Sequence, residues 1–212
     1  MTQVYLVRHG QTAWNAELIF RGRRDIELNE RGQMEASAIA VALRDKNLDA
    51  IYTSPLTRAI ETARPLATLL HCEITPVQDF TDINYGAWEG VPYYEIKTRY
   101  PDILAAWEQE PELVRFPHGE TLDEVRERSY GVLRELAEKH VNESILIVSH
   151  RVVNKVLLCA VLGLTTAHFW NIKQDTGCIN ALEYSNQRFV LCLLNDTCHL
   201  RRIVDGADQL DF

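Results

Sequence analysis

Three short stretches place groups able to do chemistry at the points where strands end. In Tyr5-Leu6-Val7-Arg8-His9-Gly10 an apolar run, Val4 to Val7, stops at a guanidinium, an imidazole and a glycine. A second run, Ser144-Ile145-Leu146-Ile147-Val148-Ser149, stops at His150. A third, Ala50-Ile51-Tyr52-Thr53, stops at Ser54-Pro55 and feeds a helix whose first turn carries Arg58. In an open α/β sheet, ligands sit at the carboxyl ends of the strands. If the three ends converge at one edge, Arg8, His9, Arg58 and His150 share a pocket of cations aimed at an anion. Gly10 lets the backbone come close to a ligand there. Each residue alone has a plainer reading: a strand ending in polar residues, a solvated helical Arg58, a core His150 with satisfied hydrogen bonds. Their matching places favour the shared pocket.

The elements that must position these groups follow from pattern. A strand is expected over Gln3–Val7, then a polar loop from Gly10 to Glu27 carrying Gly22, Arg21, Arg23 and Arg24. Asn29 suits the N-cap of a helix with Met34, Ile39, Ala42 and Leu43 on one face, ending near Asp45-Lys46-Asn47. A strand at 50–53 precedes a helix to about Leu70, with Pro55 placed in its first turn. Ile74–Val77 reads as a strand interrupted by Pro76, and Phe80–Gly90 as an ordered loop. Helix with breaks at Pro92, Pro101 and Pro111 is expected over 91–110. Thr121 and Glu124 form a capping box opening a helix to about His140. After the strand at 144–149, a helix is expected from Val152 to Leu162, closed by Gly163. Strands at 181–184 and 189–194 follow, joined by Ser185-Asn186-Gln187. Alternating strands and helices predict a three-layer α/β/α arrangement with a mostly parallel central sheet. Residues 1–212 read as a single domain, without repeats or linkers.

Composition bounds the function. The chain has 212 residues and a net charge of −8, which argues against a nucleic-acid or anionic-membrane surface. Cations for an anionic ligand must then be concentrated in one pocket. The cysteines, Cys72, Cys159, Cys178, Cys192 and Cys198, are odd in number and form no C-x-x-C pair, so they read as reduced thiols of a cytoplasmic protein. Cys198-His199 lacks a partner pair at zinc spacing. No export signal and no membrane-spanning run are expected.

The same residues resemble the histidine phosphatase superfamily, the phosphoglycerate-mutase-like fold. Leu6-Val7-Arg8-His9-Gly10 carries the likeness first. It recurs in Leu28-Asn29-Glu30-Arg31-Gly32, in Ser54-Pro55-Leu56-Thr57-Arg58-Ala59-Ile60-Glu61-Thr62-Ala63, in Gly86-Ala87-Trp88-Glu89-Gly90 and in Ile147-Val148-Ser149-His150. Arg-His-Gly alone is a weak signal; five motifs in the family's order are very specific.

The resemblance implies a phosphohistidine mechanism. His9 is then the nucleophile, since a neutral imidazole is available near pH 7. Arg8 and Arg58 bind phosphate oxygens, and His150, held protonated by the phosphate, adds a donor. Asn15 contacts the phosphate through its amide, while Thr12, Arg21 and Gly22 border the pocket. The family's acid, usually glutamate, falls at Asp82, shorter by one methylene; Asp79 and Glu89 are less favoured as donors. Tyr85 stands where the family has a histidine. Arg151 stands where many relatives have glycine; it either adds a cation to the rim or points away and caps the sheet. No metal and no cofactor are expected, because arginines and histidines supply the positive charge.

Within the family, the cofactor-dependent mutases carry a long insertion after the Gly-x-Trp-x-Gly loop. Here Gly90 and Thr121 are close in sequence, with only Lys97, Arg99 and Arg115 as cations between them. A phosphatase acting on a small phosphorylated metabolite is therefore expected, with a phosphoglycerate mutase as the alternative. Glu110–Thr121 and Leu194–Leu200 resemble the metal-independent phosphoserine phosphatases. Tyr85 weakens the claim for phosphoserine, and α-ribazole phosphate, sugar phosphates and phosphoglycerates remain alternatives. So do a phosphoprotein phosphatase and a binding module using the same pocket. A homodimer is an open option.

Overall fold

β1 (Thr2–Arg8) and β4 (Ser144–Ser149) lie side by side at the centre of the computed structural model, which describes residues 1–201 and, of Ala16, only the backbone. They run parallel, with Val4 opposite Ile145, Leu6 opposite Ile147 and Arg8 opposite Ser149. β2 (Leu48–Thr53) adds in parallel to β4, and β3 (Ile74–Pro76) to β2. On the other side β5 (Ile179–Ser185) runs antiparallel to β1, and β6 (Arg188–Asp196) antiparallel to β5. The order β3-β2-β4-β1-β5-β6 gives a mostly parallel sheet among the described residues.

Seven helices are present in this region: α1 (Ala13–Ala16), α2 (Glu30–Leu43), α3 (Thr57–Leu70), α4 (Tyr93–Arg99), α5 (Pro101–Gln109), α6 (Leu122–Lys139) and α7 (Arg151–Val161). Side chains on successive strand residues point to opposite faces. In β1 and β4, Val7, Leu146 and Val148 therefore meet Ile39, Ala40 and Leu43 of α2 and Ala59, Ala63 and Leu66 of α3. Val4, Leu6, Ile145 and Ile147 belong to the opposite core, with Leu122, Val125 and Leu133 of α6 and Val152, Val153 and Val156 of α7. Helices cover both faces, so the central strands carry no polar alternation.

Several boundaries differ from expectation for identifiable reasons. Arg8 lies inside β1, paired opposite Ser149. α3 begins at Thr57 rather than at Pro55, with Leu56 as its cap. A leucine cannot accept a bond from the first turn, and Asp25 does so from a distance: its carboxylate accepts from Thr57 N at 2.8 Å and from Thr57 Oγ1 at 2.8 Å. Pro76 is tolerated because β3 is the sheet edge. α7 opens at Arg151, one residue before the expected start, and ends in a Schellman motif: Leu164 N bonds to Cys159 O at 2.8 Å and Gly163 N to Ala160 O at 3.1 Å. The β5–β6 hairpin is longer than expected, and its turn residues Asn186 and Gln187 both have positive φ.

Candidate active site

Parallel pairing of β1 with β4 brings their carboxyl ends together, and His9 N bonds to Ser149 O at 2.9 Å. His9 and His150 are thereby adjacent, with ring centroids 5.2 Å apart. Ser54 N bonds to Val148 O at 2.9 Å, which fixes the exit from β2 and delivers Arg58 on α3 to the same edge. All three side chains are buried.

The residues behind His9 hold it without latitude. A Cβ on Gly10 would lie 2.6 Å from Gly32 O, and one on Gly32 would lie 2.1 Å from Gln11 O. Both positions need glycine because two backbones touch there. Gly10 N donates to Thr62 Oγ1 at 2.9 Å, and Asn29 Oδ1 accepts from Gly32 N at 2.9 Å to cap α2. Glu35, fully buried, accepts from Gln11 N at 2.8 Å and from Thr176 Oγ1 at 3.1 Å, tying the loop after His9 to the segment before β5. Arg8 reaches the Gln174 carbonyl of that segment.

Hydrogen bonding assigns the protons on both imidazoles. His9 Nδ1 lies 2.7 Å from Gly10 O. A carbonyl only accepts, so Nδ1 carries the hydrogen and Nε2 keeps its lone pair. Burial, then the nearby charges of Arg58, Arg8 and Arg21, hold the His9 pKa well below its ordinary value, so the ring is neutral at pH 7. His150 Nδ1 accepts from Arg58 Nε at 3.3 Å, so the His150 hydrogen is on Nε2. That atom is buried and has no hydrogen-bond partner among the described residues. Burial and the charge of Arg58 also depress the His150 pKa strongly. In this structure His150 is thus a neutral donor rather than an imidazolium.

The guanidinium of Arg58 is heavily engaged. Besides His150, it donates from Nη1 to Arg24 O at 2.8 Å, and from Nη2 to Gly22 O at 2.8 Å and to Asp82 Oδ2 at 3.2 Å. Only one of the five N–H groups of an arginine is left for a phosphate oxygen unless Asp82 yields its place. A bidentate grip by Arg58, implied by the family resemblance, requires that exchange. Gly22 contributes its carbonyl to Arg58, and a Cβ there would meet the Glu89 carboxylate at 2.2 Å. Glu89 accepts from Arg23 N at 2.9 Å and from Tyr85 N at 3.3 Å, so it braces this loop. Arg21, half-buried on the same loop, is pushed down to about 9 by burial and by Arg8, Arg58 and Arg151, and remains charged at pH 7. Asn15 Oδ1 accepts from Thr12 N and Thr12 Oγ1, each at 2.9 Å, which leaves its Nδ2 end to meet an acceptor.

Asp82 is 5% exposed and sits between these groups. Its Oδ2 is 3.2 Å from Arg58 Nη2 and 3.7 Å from His150 Nδ1, and its Oδ1 accepts from Ile83 N at 3.0 Å. The backbone around it is gripped by Arg128 of α6, a residue that sequence reasoning missed. Arg128 donates to the carbonyls of Asp79 at 2.6 Å, Thr81 at 2.8 Å and Asp82 at 3.3 Å. Glu120 pairs with Arg128 at 3.0 and 3.1 Å while accepting from Asn84 N at 2.8 Å and from Arg23 at 2.9 Å. Tyr85 is buried edge-on against Phe20 and Phe116, and Arg151 hydrogen-bonds its hydroxyl. Burial pushes the Tyr85 pKa up to about 12, so it stays a neutral phenol. Arg151 also lies over the Trp170 ring at 5.9 Å. It therefore lies near Arg21, Tyr85 and Trp170.

Sequence-expected site residues are therefore brought to one edge of the sheet. Among the described residues no group of three or more His, Cys, Asp or Glu side chains is placed to hold a metal ion, and no helix is long and apolar enough to cross a membrane. The sequence model of the histidine phosphatase superfamily (branch 1) matches residues 4–197. Phosphoserine phosphatase 1 of Hydrogenobacter thermophilus is 34% identical over 200 residues, covering 94% of this chain and 95% of that protein. A metal-independent phosphoserine phosphatase of Arabidopsis thaliana is 29% identical over 206 residues, covering 96% of this chain and 85% of that one. Among solved structures, YhfR of Bacillus stearothermophilus superposes with a TM-score of 0.92 at 30% identity, covering 95% of this chain and all of that one.

Proposed function

Since the chain belongs to the histidine phosphatase superfamily and is a phosphoric monoester hydrolase, we propose that it works by two phosphoryl transfers through His9. In the first, the Nε2 lone pair of His9 attacks phosphorus. The bond to the ester oxygen breaks, and that oxygen takes a proton from Asp82. In the second, water attacks the phospho-His9 phosphorus and gives its proton to Asp82, the P–N bond breaks, and inorganic phosphate leaves. Phosphoryl transfer asks a protein for positioning and charge neutralisation more than covalent chemistry. Arg8, Arg21 and Arg58 supply the charge, His150 Nε2 and Asn15 Nδ2 supply neutral donors, and Thr12 steadies Asn15.

The observation that carries this reading is the 2.7 Å contact of His9 Nδ1 with Gly10 O inside a ring of arginines. It leaves a neutral nucleophilic nitrogen where an anionic ester would be held. Phosphoserine is the substrate we put forward, on the strength of two relatives named as phosphoserine phosphatases. The five unpaired cysteines fit a reducing, cytoplasmic setting. Rapid alkaline quenching during turnover of a labelled monoester tests the mechanism. It should trap acid-labile phosphate on His9, and His9→Ala should abolish both label and turnover. Full activity in that variant would end the proposal.

A further inference from the structure

Four arginines contribute charge to the pocket. Arg58, Arg8 and Arg21 are the ones that press on His9. Arg151 adds a fourth charge. It presses on Arg21 and hydrogen-bonds the hydroxyl of Tyr85, three residues beyond Asp82 on the same loop, and the Asp82 carboxylate is itself felt at Tyr85. If Asp82 is the group that protonates the departing oxygen, the leaving group lies on its side of the phosphorus. Arg151 and Tyr85 then border the leaving group rather than the phosphoryl group.

The setting of Arg151 is built. Its backbone is fixed as the first residue of α7, directly after His150. Its guanidinium is located by the Tyr85 hydroxyl and the Trp170 face. Tyr85 is itself immobilised, with ring centroids 4.8 Å from Phe116 and 5.3 Å from Phe20. One turn along α7, Lys155 is buried with its ammonium 4.7 Å from the Phe169 centroid and 4.6 Å from that of Trp170. The same aromatic wall thus carries two cations, Arg151 at the rim and Lys155 behind it. A planar guanidinium held in one orientation is suited to a carboxylate.

We propose that Arg151, positioned by Tyr85 and Trp170, recognises a carboxylate on the leaving group, so that the enzyme prefers carboxylated alkyl phosphates. This rests on the phosphatase reading above and narrows it. Uncharged leaving groups, such as sugars or a nucleoside-like alcohol, offer Arg151 no anion.

Matched substrates isolate the carboxylate. O-phosphoserine and O-phosphoethanolamine differ by it alone, and 3-phosphoglycerate and glycerol 3-phosphate form a second pair. The wild-type enzyme should favour the carboxylated member of each pair in kcat/KM. Arg151→Gln should lower that ratio about 10- to 100-fold, the usual range for one charged hydrogen-bonding group. Arg151→Lys should restore part of it, and Tyr85→Phe, which keeps the ring and removes the hydroxyl, should lower it in the same direction. No preference in the wild type, or a ratio unchanged by Arg151→Gln, overturns the inference while p-nitrophenyl phosphate hydrolysis leaves the phosphatase reading standing. Failure to hydrolyse any monoester, p-nitrophenyl phosphate included, overturns both.

Discussion

Arg58 Nε donates to His150 Nδ1 across 3.3 Å, and that bond gives His150 the tautomer opposite to that of His9. The Gly10 carbonyl at 2.7 Å draws the His9 hydrogen to Nδ1. Arg58, which can only donate, drives the His150 hydrogen to Nε2. Two neutral imidazoles with centroids 5.2 Å apart thus present different atoms: a lone pair on His9 and an N–H on His150. A lone pair can act as a nucleophile and an N–H can donate to an oxygen, and both are available without a change of pH.

Long-range ¹H–¹⁵N spectra of the ligand-free protein at pH 7 should show this directly. The unprotonated nitrogen should be Nε2 in His9 and Nδ1 in His150, assigned with His9→Gln and His150→Gln. The same tautomer in both rings, or an imidazolium pattern in either, would contradict the assignment. A glutamine at 150 keeps an N–H donor, so His150→Gln should retain more phospho-His9 formation than His150→Ala, by roughly 10-fold or more.

Burial of two neutral histidines has a consequence for stability. Their folded pKa values lie well below 6.5, the unfolded value, because burial and the Arg58 charge disfavour the imidazolium. Above pH 6.5 both states are neutral and the two rings contribute no pH dependence. Below pH 6.5 the unfolded chain takes up protons that the folded chain refuses, so stability falls as pH falls. Each ring contributes a slope approaching about 1.4 kcal/mol per pH unit until its folded pKa is reached. Urea denaturation between pH 7.5 and 5 should reveal the loss, and His9→Gln or His150→Gln should each make it shallower. A flat profile in the wild type, or an unchanged slope in both variants, would refute the neutral assignment.

Much of this site was readable from strand ends. The runs Val4–Val7 and Ile145–Val148 are apolar on every residue because α2 and α3 cover one face and α6 and α7 the other, and each run halts where the sheet edge opens. Thr121 and Glu124 were legible because a capping box is local: the two bonds, at 2.9 and 3.2 Å, join residues three apart. Asp25 was not legible, since it caps α3 from thirty-two residues away in place of the unhelpful Leu56. Nor was α1, a single turn held in a polar loop. Arg128 was hidden for a related reason. It sits among alternating charges, Glu124-Val125-Arg126-Glu127-Arg128, that read as a solvated helical face, and three of its partners are backbone carbonyls, which no sequence pattern announces.

Arg128 supplies the sharpest mutational test, because its hydrogen bonds converge on the backbone around Asp82. It holds the carbonyls of Asp79, Thr81 and Asp82, and is itself held by Glu120, which also fixes Asn84 N. Asp82 is therefore suspended between clamped residues on either side. If Asp82 delivers the proton to the leaving oxygen, loosening this clamp should damage proton delivery more than phosphate binding. Alkoxides need that proton, whereas p-nitrophenolate leaves with little help, and a positioned general acid contributes roughly 10²–10⁴-fold. Asp82→Asn should accordingly slow hydrolysis of an alkyl phosphate far more than that of p-nitrophenyl phosphate. Arg128→Met should reproduce the same selectivity in weaker form, about 10-fold or more on the alkyl substrate under conditions where formation of phospho-His9 limits the rate. Arg128→Lys keeps the charge but gathers its donors on one nitrogen and lacks the planar fork that reaches the carbonyls and Glu120 together, so it should fall between Met and wild type. Equal losses on both leaving groups would show that Arg128 and Asp82 serve the fold alone, and a steady-state KM rise with unchanged leaving-group selectivity would move Asp82 from proton donor to phosphate binder.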